Sequence, residues 1–118
     1  MTRRKAAQRE HPESAQDLAG RVIAEVRVIA ARPCVVSLGD HFAGYFNELG
    51  IFVGVADDAQ DSEVIDLRNA MLAYLDMVLP EESALFKWQV GIKRDSKTIE
   101  VIFPGDLPRS RDDFLQPI

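Results

Sequence analysis

Cys34 and His41 are the two residues of this chain that most resemble a nucleophile and its base. They stand seven positions apart, and Cys34 is the single cysteine. A catalytic thiol needs a lowered pKa, partial exposure and a base within hydrogen-bond reach. Cys34 instead heads an apolar run, CVVSL (34–38), which favours a small buried side chain. We therefore predict no catalytic residue and favour a protein without enzymatic activity.

Asp40 and His41 stand at the start of an aromatic cluster, GDHFAGYFNELG (39–50). A carboxylate beside an imidazole can orient it and raise its pKa, as in acid–base catalysis. Adjacent side chains of a strand point to opposite faces, however, so an extended segment would separate the two. We favour a histidine in a turn and aromatic rings in the core. The alternative is a ligand pocket lined by Asp40, His41, Phe42, Tyr45 and Phe46.

The acidic segment DDAQDSE (57–63) is the third candidate for chemistry. It has the carboxylates of a calcium loop but lacks the glycine and the closing glutamate at the required spacing. Acidic residues ahead of a helix are also explained by capping and by the helix dipole. His11 has no cysteine or histidine partner at a zinc-like spacing. We predict no metal and no cofactor.

Charge is distributed unevenly along the 118 residues. The chain has a formal net charge of −5 and residues 1–10 contribute +3, so the remaining residues carry −8. An acidic body repels phosphates, and nucleic-acid binding is expected only weakly, through a flexible basic N-terminal arm (1–12). The same charge attracts basic proteins. We predict a protein partner of basic character that contacts Asp57, Asp58 and Asp61.

The composition is that of one ordinary globular domain, with 47% hydrophobic and 28% charged residues. One cysteine cannot form an intrachain disulfide, and the first thirty residues lack the apolar core of a signal peptide. No apolar run approaches the roughly 20 residues that span a bilayer. We expect a cytoplasmic protein that does not enter a membrane.

Two segments have the periodicity of amphipathic helices. The first, residues 14–32, repeats its apolar residues at the spacing of one helical face, and Ser14 is its expected N-cap. The second, residues 61–79, has a broader apolar face and is expected to be capped by Asp61 or Ser62. Both segments should therefore cover a sheet.

The strands are predicted from short apolar runs and from alternation. We predict buried strands at CVVSL (34–38) and IFVGVA (51–56), and we expect the second to be central and covered on both faces. Residues 86–103 read as a hairpin with a two-residue loop at Asp95 and Ser96. Its expected cross-strand pairs on the buried face are Ile92 with Ile99, Val90 with Val101 and Trp88 with Phe103. Glu100 and Ile102 would then lie on the opposite face.

The aromatic cluster is compatible with two conformations. In a helix, Asp40 would be the N-cap and Gly50 the residue after the last turn. In a hairpin, residues 47–50 would form the turn. We favour the hairpin, because aromatic residues prefer strands and the segment is short for a helix.

Together these elements predict an α+β fold. Two amphipathic helices pack on one face of a mostly antiparallel four- or five-stranded sheet within residues 13–104, and an extended C-terminal tail follows (105–118). The free sheet face is then a candidate surface for function. We favour a small non-catalytic protein-binding or regulatory module with an acidic surface. The alternative is a small-molecule-binding or enzymatic domain with a pocket near Phe42, Tyr45 and Phe46.

Overall fold

The computed structural model describes residues 14–44, 47–80 and 85–118. In chain order the elements are α1 (Ala15–Ile29), β1 (Val35–Ala43), β2 (Glu48–Val55), α2 (Asp61–Val78), β3 (Lys87–Arg94) and β4 (Lys97–Ile102). The basic arm proposed for residues 1–12 and the side chains of Tyr45 and Phe46 lie outside the described residues. The α+β class predicted from the sequence is confirmed.

Both helices begin at side chains that satisfy their free amides. The Ser14 hydroxyl accepts a hydrogen bond from the Asp17 amide at 3.1 Å, as predicted. Helix α2 is capped by Gln60 and not by Asp61 or Ser62. The backbone amide of Gln60 donates to the Glu63 carboxylate at 3.1 Å. This is a capping box, in which two helix-end amides are satisfied reciprocally.

The sheet is mixed, which corrects the expectation of a mostly antiparallel one. Its strand order is β1-β2-β3-β4, and the described residues contain no fifth strand. The two outer pairings are antiparallel, whereas the central strands β2 and β3 are parallel. Parallel neighbours need a long crossover connection, and α2 provides it.

The aromatic cluster belongs to one long hairpin. Gly39 and Asp40 do not break β1, which pairs with β2 along its length. The hairpin prediction is confirmed and the helix is excluded, but the two strands join between Ala43 and Glu48 and not at 47–50, and the Asn47 amide donates to the Gly44 carbonyl at 3.3 Å. Asn47 adopts a positive φ of 50° there, a conformation that asparagine tolerates better than most residues.

The last hairpin has the predicted loop but a different register. Asp95 and Ser96 both have positive φ, 54° and 61°, as a type I′ turn requires. A β-bulge at Ile99 then shifts the pairing by one residue. Glu100 faces Ile92 on the buried side, so its predicted placement on the opposite face is wrong.

The same bulge changes the side of the residues that follow. Ile102 is fully buried opposite Val90, whereas Val101 pairs with Gly91 on the other face. Phe103, expected opposite Trp88, is half-exposed. Trp88 itself is buried, as predicted, beside Leu49 of the parallel neighbour β2.

One hydrophobic core lies between the helices and one face of the sheet. Its strand residues include Leu49, Ile51 and Val53 of β2 together with Val90 and Ile92 of β3. The helices contribute Leu18, Val22 and Val26 from α1 and Val64, Leu67, Met71, Leu72 and Leu75 from α2. Strand β2 is central, as expected, but it is covered on one face only, since Phe52 on its other face is 48% exposed.

Candidate functional site

The side of the sheet that the helices leave uncovered is the first candidate site, here called the open sheet face. Because side chains alternate along a strand, its members are the residues between the buried positions. They include Ser37, Gly39 and His41 of β1, Glu48, Gly50, Phe52 and Gly54 of β2, Lys87, Gln89, Gly91 and Lys93 of β3, and Val101 of β4. Glycine is unusually frequent among them.

Phe52 stands in the middle of the open sheet face with a glycine on every side. Gly39 and Gly91 are its partners on the two neighbouring strands, and Gly50 and Gly54 are its same-face neighbours along β2. The phenylalanine ring lies over Gly50, where an added Cβ would come 3.0 Å from the ring. A Cβ at Gly39 or Gly91 would meet nothing within 4 Å, so flat backbone flanks the ring on both sides.

A groove runs beside Phe52 over strands β1 and β2. Its volume is about 670 Å³, and it is open to solvent along the sheet. Ser37, Gly39 and Gly54 line it from the two strands, and Asp57 and Asp95 line it from the turns beyond them. Lys93 also contributes to the lining, so the groove offers both charges.

The three predicted partner-binding carboxylates differ in their surroundings. Asp57 and Asp58 are exposed in the turn after β2. Asp61 accepts hydrogen bonds from the Leu115 amide at 3.0 Å and from the Arg94 guanidinium at 2.8 Å. These two donors, the Leu115 amide first, hold the pKa of Asp61 below its ordinary value. Asp61 is therefore engaged within the chain.

Of the predicted aromatic pocket, the three described residues, Asp40, His41 and Phe42, do not lie on one surface. Asp40 faces α1, where its carboxylate accepts a hydrogen bond from Arg27 at 3.2 Å. Phe42 lies on the same side, with its ring 5.2 Å from that of Phe86 in an edge-to-face arrangement. His41 points to the open sheet face and is exposed. Asp40 and His41 thus lie on opposite faces of the sheet.

Cys34 lacks the properties of an activated thiol. It is buried just before β1, and burial, reinforced by the nearby Glu63 carboxylate, raises the pKa of its thiol. Residues 14–44, 47–80 and 85–118 contain no group of three or more histidine, cysteine, aspartate or glutamate side chains that could hold a metal ion.

The second candidate feature, a buried ionic network on the helix side of the sheet, was not predicted from the sequence. Glu100, only 7% exposed, accepts hydrogen bonds from Arg68 at 2.7 Å and from Arg109 at 3.0 Å. The sequence contains a sign of it, because Arg68 occupies the apolar stripe of α2 between Val64 and Met71. A charge in such a position needs a buried partner.

Within the part of the chain that the structure describes, neither helix is long and apolar enough to cross a membrane. Known proteins add nothing to this picture, since no protein-family model, curated protein sequence or solved structure significantly matches the chain.

Proposed function

We propose that this protein is a non-catalytic binding module that recognises a protein partner through its open sheet face. The observation that carries the proposal is the half-exposed Phe52 ring surrounded by four glycines. Glycine inside a strand weakens it and commonly marks a place where another backbone approaches closely. An aromatic ring that its own fold leaves half-exposed is the kind of residue that anchors protein interfaces.

Charge around the groove favours a basic group in the partner. Asp57 and Asp95 line the groove beside the Phe52 ring, and Asp58 is exposed nearby in sequence. A lysine or arginine side chain lying along the groove would meet the face of the ring and these carboxylates. Lys93 requires the partner to carry an acidic or neutral group over β3. This mixed pattern gives the partner one preferred orientation.

The test compares Phe52→Ala with a matched control on another surface, Met77→Ala. Met77 is exposed on α2, away from the open sheet face. Tagged wild-type protein and both variants are used to capture partners from a lysate of the native cells, and captured proteins are quantified by mass spectrometry. We expect one protein to be lost with Phe52→Ala and retained with Met77→Ala. Equal capture by all three chains would contradict the proposal.

The acidic contribution is tested by charge reversal once that partner is purified. Changing Asp57 and Asp58 to lysine should slow association at low salt, because opposite charges accelerate encounter. Asp61 is left unchanged, since it holds Arg94 and Leu115 within the chain. An unchanged association rate at low salt would remove the acidic residues from the proposal while leaving Phe52 in it.

A small-molecule site is the second candidate function. One observation favours it, namely that the groove volume of about 670 Å³ falls within the roughly 300–1,000 Å³ of ligand pockets. A thermal-shift screen of metabolites would show a stabilising compound whose effect is lost with Phe52→Ala. If the compound instead loses its effect with His41→Ala or Phe42→Ala, the ligand lies near the aromatic cluster.

A further inference from the structure

The C-terminal segment (104–118), called the tail, lies along α2 without forming a helix or strand. It runs antiparallel to the helix, with its residue 107 beside Arg68 and its residue 115 beside Asp61. At its far end the Ile118 amide donates to the Thr98 carbonyl at 2.8 Å. The tail is thus held at several points between α2 and the start of β4.

The α2 residues that lie beneath the tail contact mainly the backbone of the tail. The Asn69 carboxamide forms two hydrogen bonds with one residue, donating to the Arg109 carbonyl at 2.8 Å and accepting from the Arg109 amide at 3.0 Å. The Arg68 guanidinium donates to the Leu107 carbonyl at 3.0 Å. Paired contacts with the main chain of an extended segment are how peptide-binding sites obtain affinity without regard to sequence.

One tail side chain is recognised specifically. The Arg109 guanidinium donates through Nη1 to both carboxylate oxygens of Glu100, at 3.2 and 3.0 Å. Glu100 is oriented for this contact by Arg68, which donates from its Nε atom at 2.7 Å. Charge-assisted bonds to a buried carboxylate are strong, and Arg109 also places its Nε atom 3.5 Å from Asp113, so that two nitrogens of one guanidinium serve two carboxylates. Arg111, two positions along, instead pairs at the surface with Asp66.

Apolar packing contributes little to holding the tail. Leu107, Phe114 and Ile118 are each more than three-quarters exposed, and Leu115 alone joins the core. Segments with few buried apolar contacts open locally at a lower free energy than the core. The tail therefore resembles a bound peptide more than a packed element of the fold.

We propose that Arg68, Asn69 and Glu100 form a peptide-binding groove selective for arginine, which the tail occupies in the closed protein. When the tail leaves, the folded domain binds an extended arginine-containing segment of a partner in the same place. The groove lies on the helix side of the sheet, so this activity is independent of the open sheet face.

The first test is native-state hydrogen exchange on the full chain. We expect the amides of Arg109, Leu115 and Ile118 to exchange by local opening, roughly 100-fold or more faster than those of Ile51 and Val90 in the central strands. Exchange of both groups at the same rate would mean that the tail leaves only when the whole domain unfolds. That result would overturn the proposal.

The second test supplies the tail in trans to a chain whose own tail is weakened. A fluorescent peptide with the sequence of residues 104–118 is added to the full-length Arg109→Ala protein, and binding is followed by anisotropy. The peptide should bind, whereas a peptide carrying Arg109→Ala should bind at least about 10-fold more weakly, since the charge-assisted contact is lost. A peptide carrying Arg111→Ala is the matched control and should bind nearly as well as the unaltered one.

A groove variant completes the second test. Adding Asn69→Ala to the Arg109→Ala chain should abolish peptide binding. The selectivity for Arg109 is refuted if the folded Arg109→Ala chain binds no peptide. It is also refuted if that chain binds the Arg109→Ala and Arg111→Ala peptides equally well. If Arg109→Ala alone unfolds the domain, as judged by circular dichroism, the tail is an obligatory part of the fold and the proposal fails.

Discussion

The two sides of the sheet differ in how completely their polar groups are buried and paired within the chain. On the helix side, the Glu100 carboxylate and the Arg68 guanidinium are almost fully buried and paired with each other and with the tail. On the open sheet face, glycines leave backbone uncovered and Phe52 is half-exposed. The helix side is closed by contacts that the chain's own tail supplies, whereas no segment of the described chain covers Phe52 on the open sheet face.

This difference leads to opposite expectations for substitutions on the two sides. Groups on the helix side should contribute strongly to stability, because each satisfies a buried neighbour. Groups on the open sheet face should contribute little to stability, or even reduce it, because they are retained for contact with a partner. Measurements of unfolding free energy separate the two cases.

The largest effect is expected for Arg68→Met. The substitution leaves Glu100 buried beside Arg109 alone and removes the donor to the Leu107 carbonyl. Breaking a buried pair by removing one partner typically costs about 3–5 kcal/mol. Urea unfolding monitored by tryptophan fluorescence would measure the loss, since Trp88 is the only tryptophan in the chain.

Two controls sharpen this prediction. Replacing both partners, Arg68→Met with Glu100→Leu, should recover much of the lost stability, because the buried carboxylate is removed and the partly exposed Arg109 keeps its ion pair with Asp113. Arg27→Ala removes an exposed ion pair with Asp40 and should cost about 1 kcal/mol or less. A loss for Arg68→Met as small as that for Arg27→Ala would contradict the buried network.

The next largest contrast is between two phenylalanines on opposite sides of the sheet. Phe86 is buried at the helix side, and Phe86→Ala should destabilise the domain by roughly 3–5 kcal/mol. Phe52 is 48% exposed, and Phe52→Ala should cost only about 1 kcal/mol, since half of the ring already contacts water. Equal losses in thermal or urea unfolding would show that Phe52 serves the core and not a partner.

A smaller effect, of opposite sign, is expected at the glycines beside Phe52. Neither Gly39 nor Gly91 needs a positive φ, and a Cβ at either position meets open space. Gly39→Ala and Gly91→Ala should therefore each stabilise the domain by roughly 0.4–1 kcal/mol. Both should weaken binding of the partner by holding it away from the sheet. Stabilisation with unchanged binding would place the contact elsewhere.

Gly54→Ala serves as the comparison within the same face. A Cβ at Gly54 would collide with the hydroxyl of Ser37 on the neighbouring strand. No stabilisation is expected unless Ser37 is also changed to alanine, which removes the obstructing atom. A gain for Gly54→Ala equal to that for Gly39→Ala would mean that strand propensity alone, and not local space, sets the effect.

The local elements were predictable because their causes are local. The periodicity of α1, the Ser14 cap and the two-residue loop at Asp95 and Ser96 all appear in the structure. The crossover was also recoverable, since a strand followed by a helix and another strand favours parallel pairing. The expectation of a mostly antiparallel sheet did not take that pattern into account.

The register of β4 could not be predicted from its own residues. Apolar residues occupy positions 99, 101, 102 and 103, so alternation supports either face for the end of the strand. The choice is made by Arg68 and Arg109, which hold Glu100 on the buried side. Arg68 is distant in sequence, and only the folded chain brings it to β4. The surroundings of Phe52 likewise depend on strand pairing, because only the folded sheet brings Gly39 and Gly91 beside this residue.

The smallest predicted effects concern acidic pH and are confined to the helix side. The pKa of Asp61 is lowered by the Leu115 amide and Arg94, so this carboxylate stabilises the folded chain at neutral pH and loses that contribution as pH falls below about 4. Partial desolvation on the surface of α2, together with the charge of Asp106, raises the pKa of Asp76. Asp76 therefore reduces stability at neutral pH, and this penalty disappears as pH falls through its raised pKa.

Asp61→Asn and Asp76→Asn should accordingly shift stability in opposite directions at neutral pH. The first variant should unfold more easily than the wild type, and the second should resist unfolding slightly better. Both differences should shrink as pH falls toward 4 and below, because the wild-type carboxylates then become protonated and, like asparagine, carry no charge. Urea midpoints measured between pH 7 and pH 3 would show two curves converging on the wild type from opposite sides. Parallel curves would mean that packing, and not ionisation, accounts for the role of these residues.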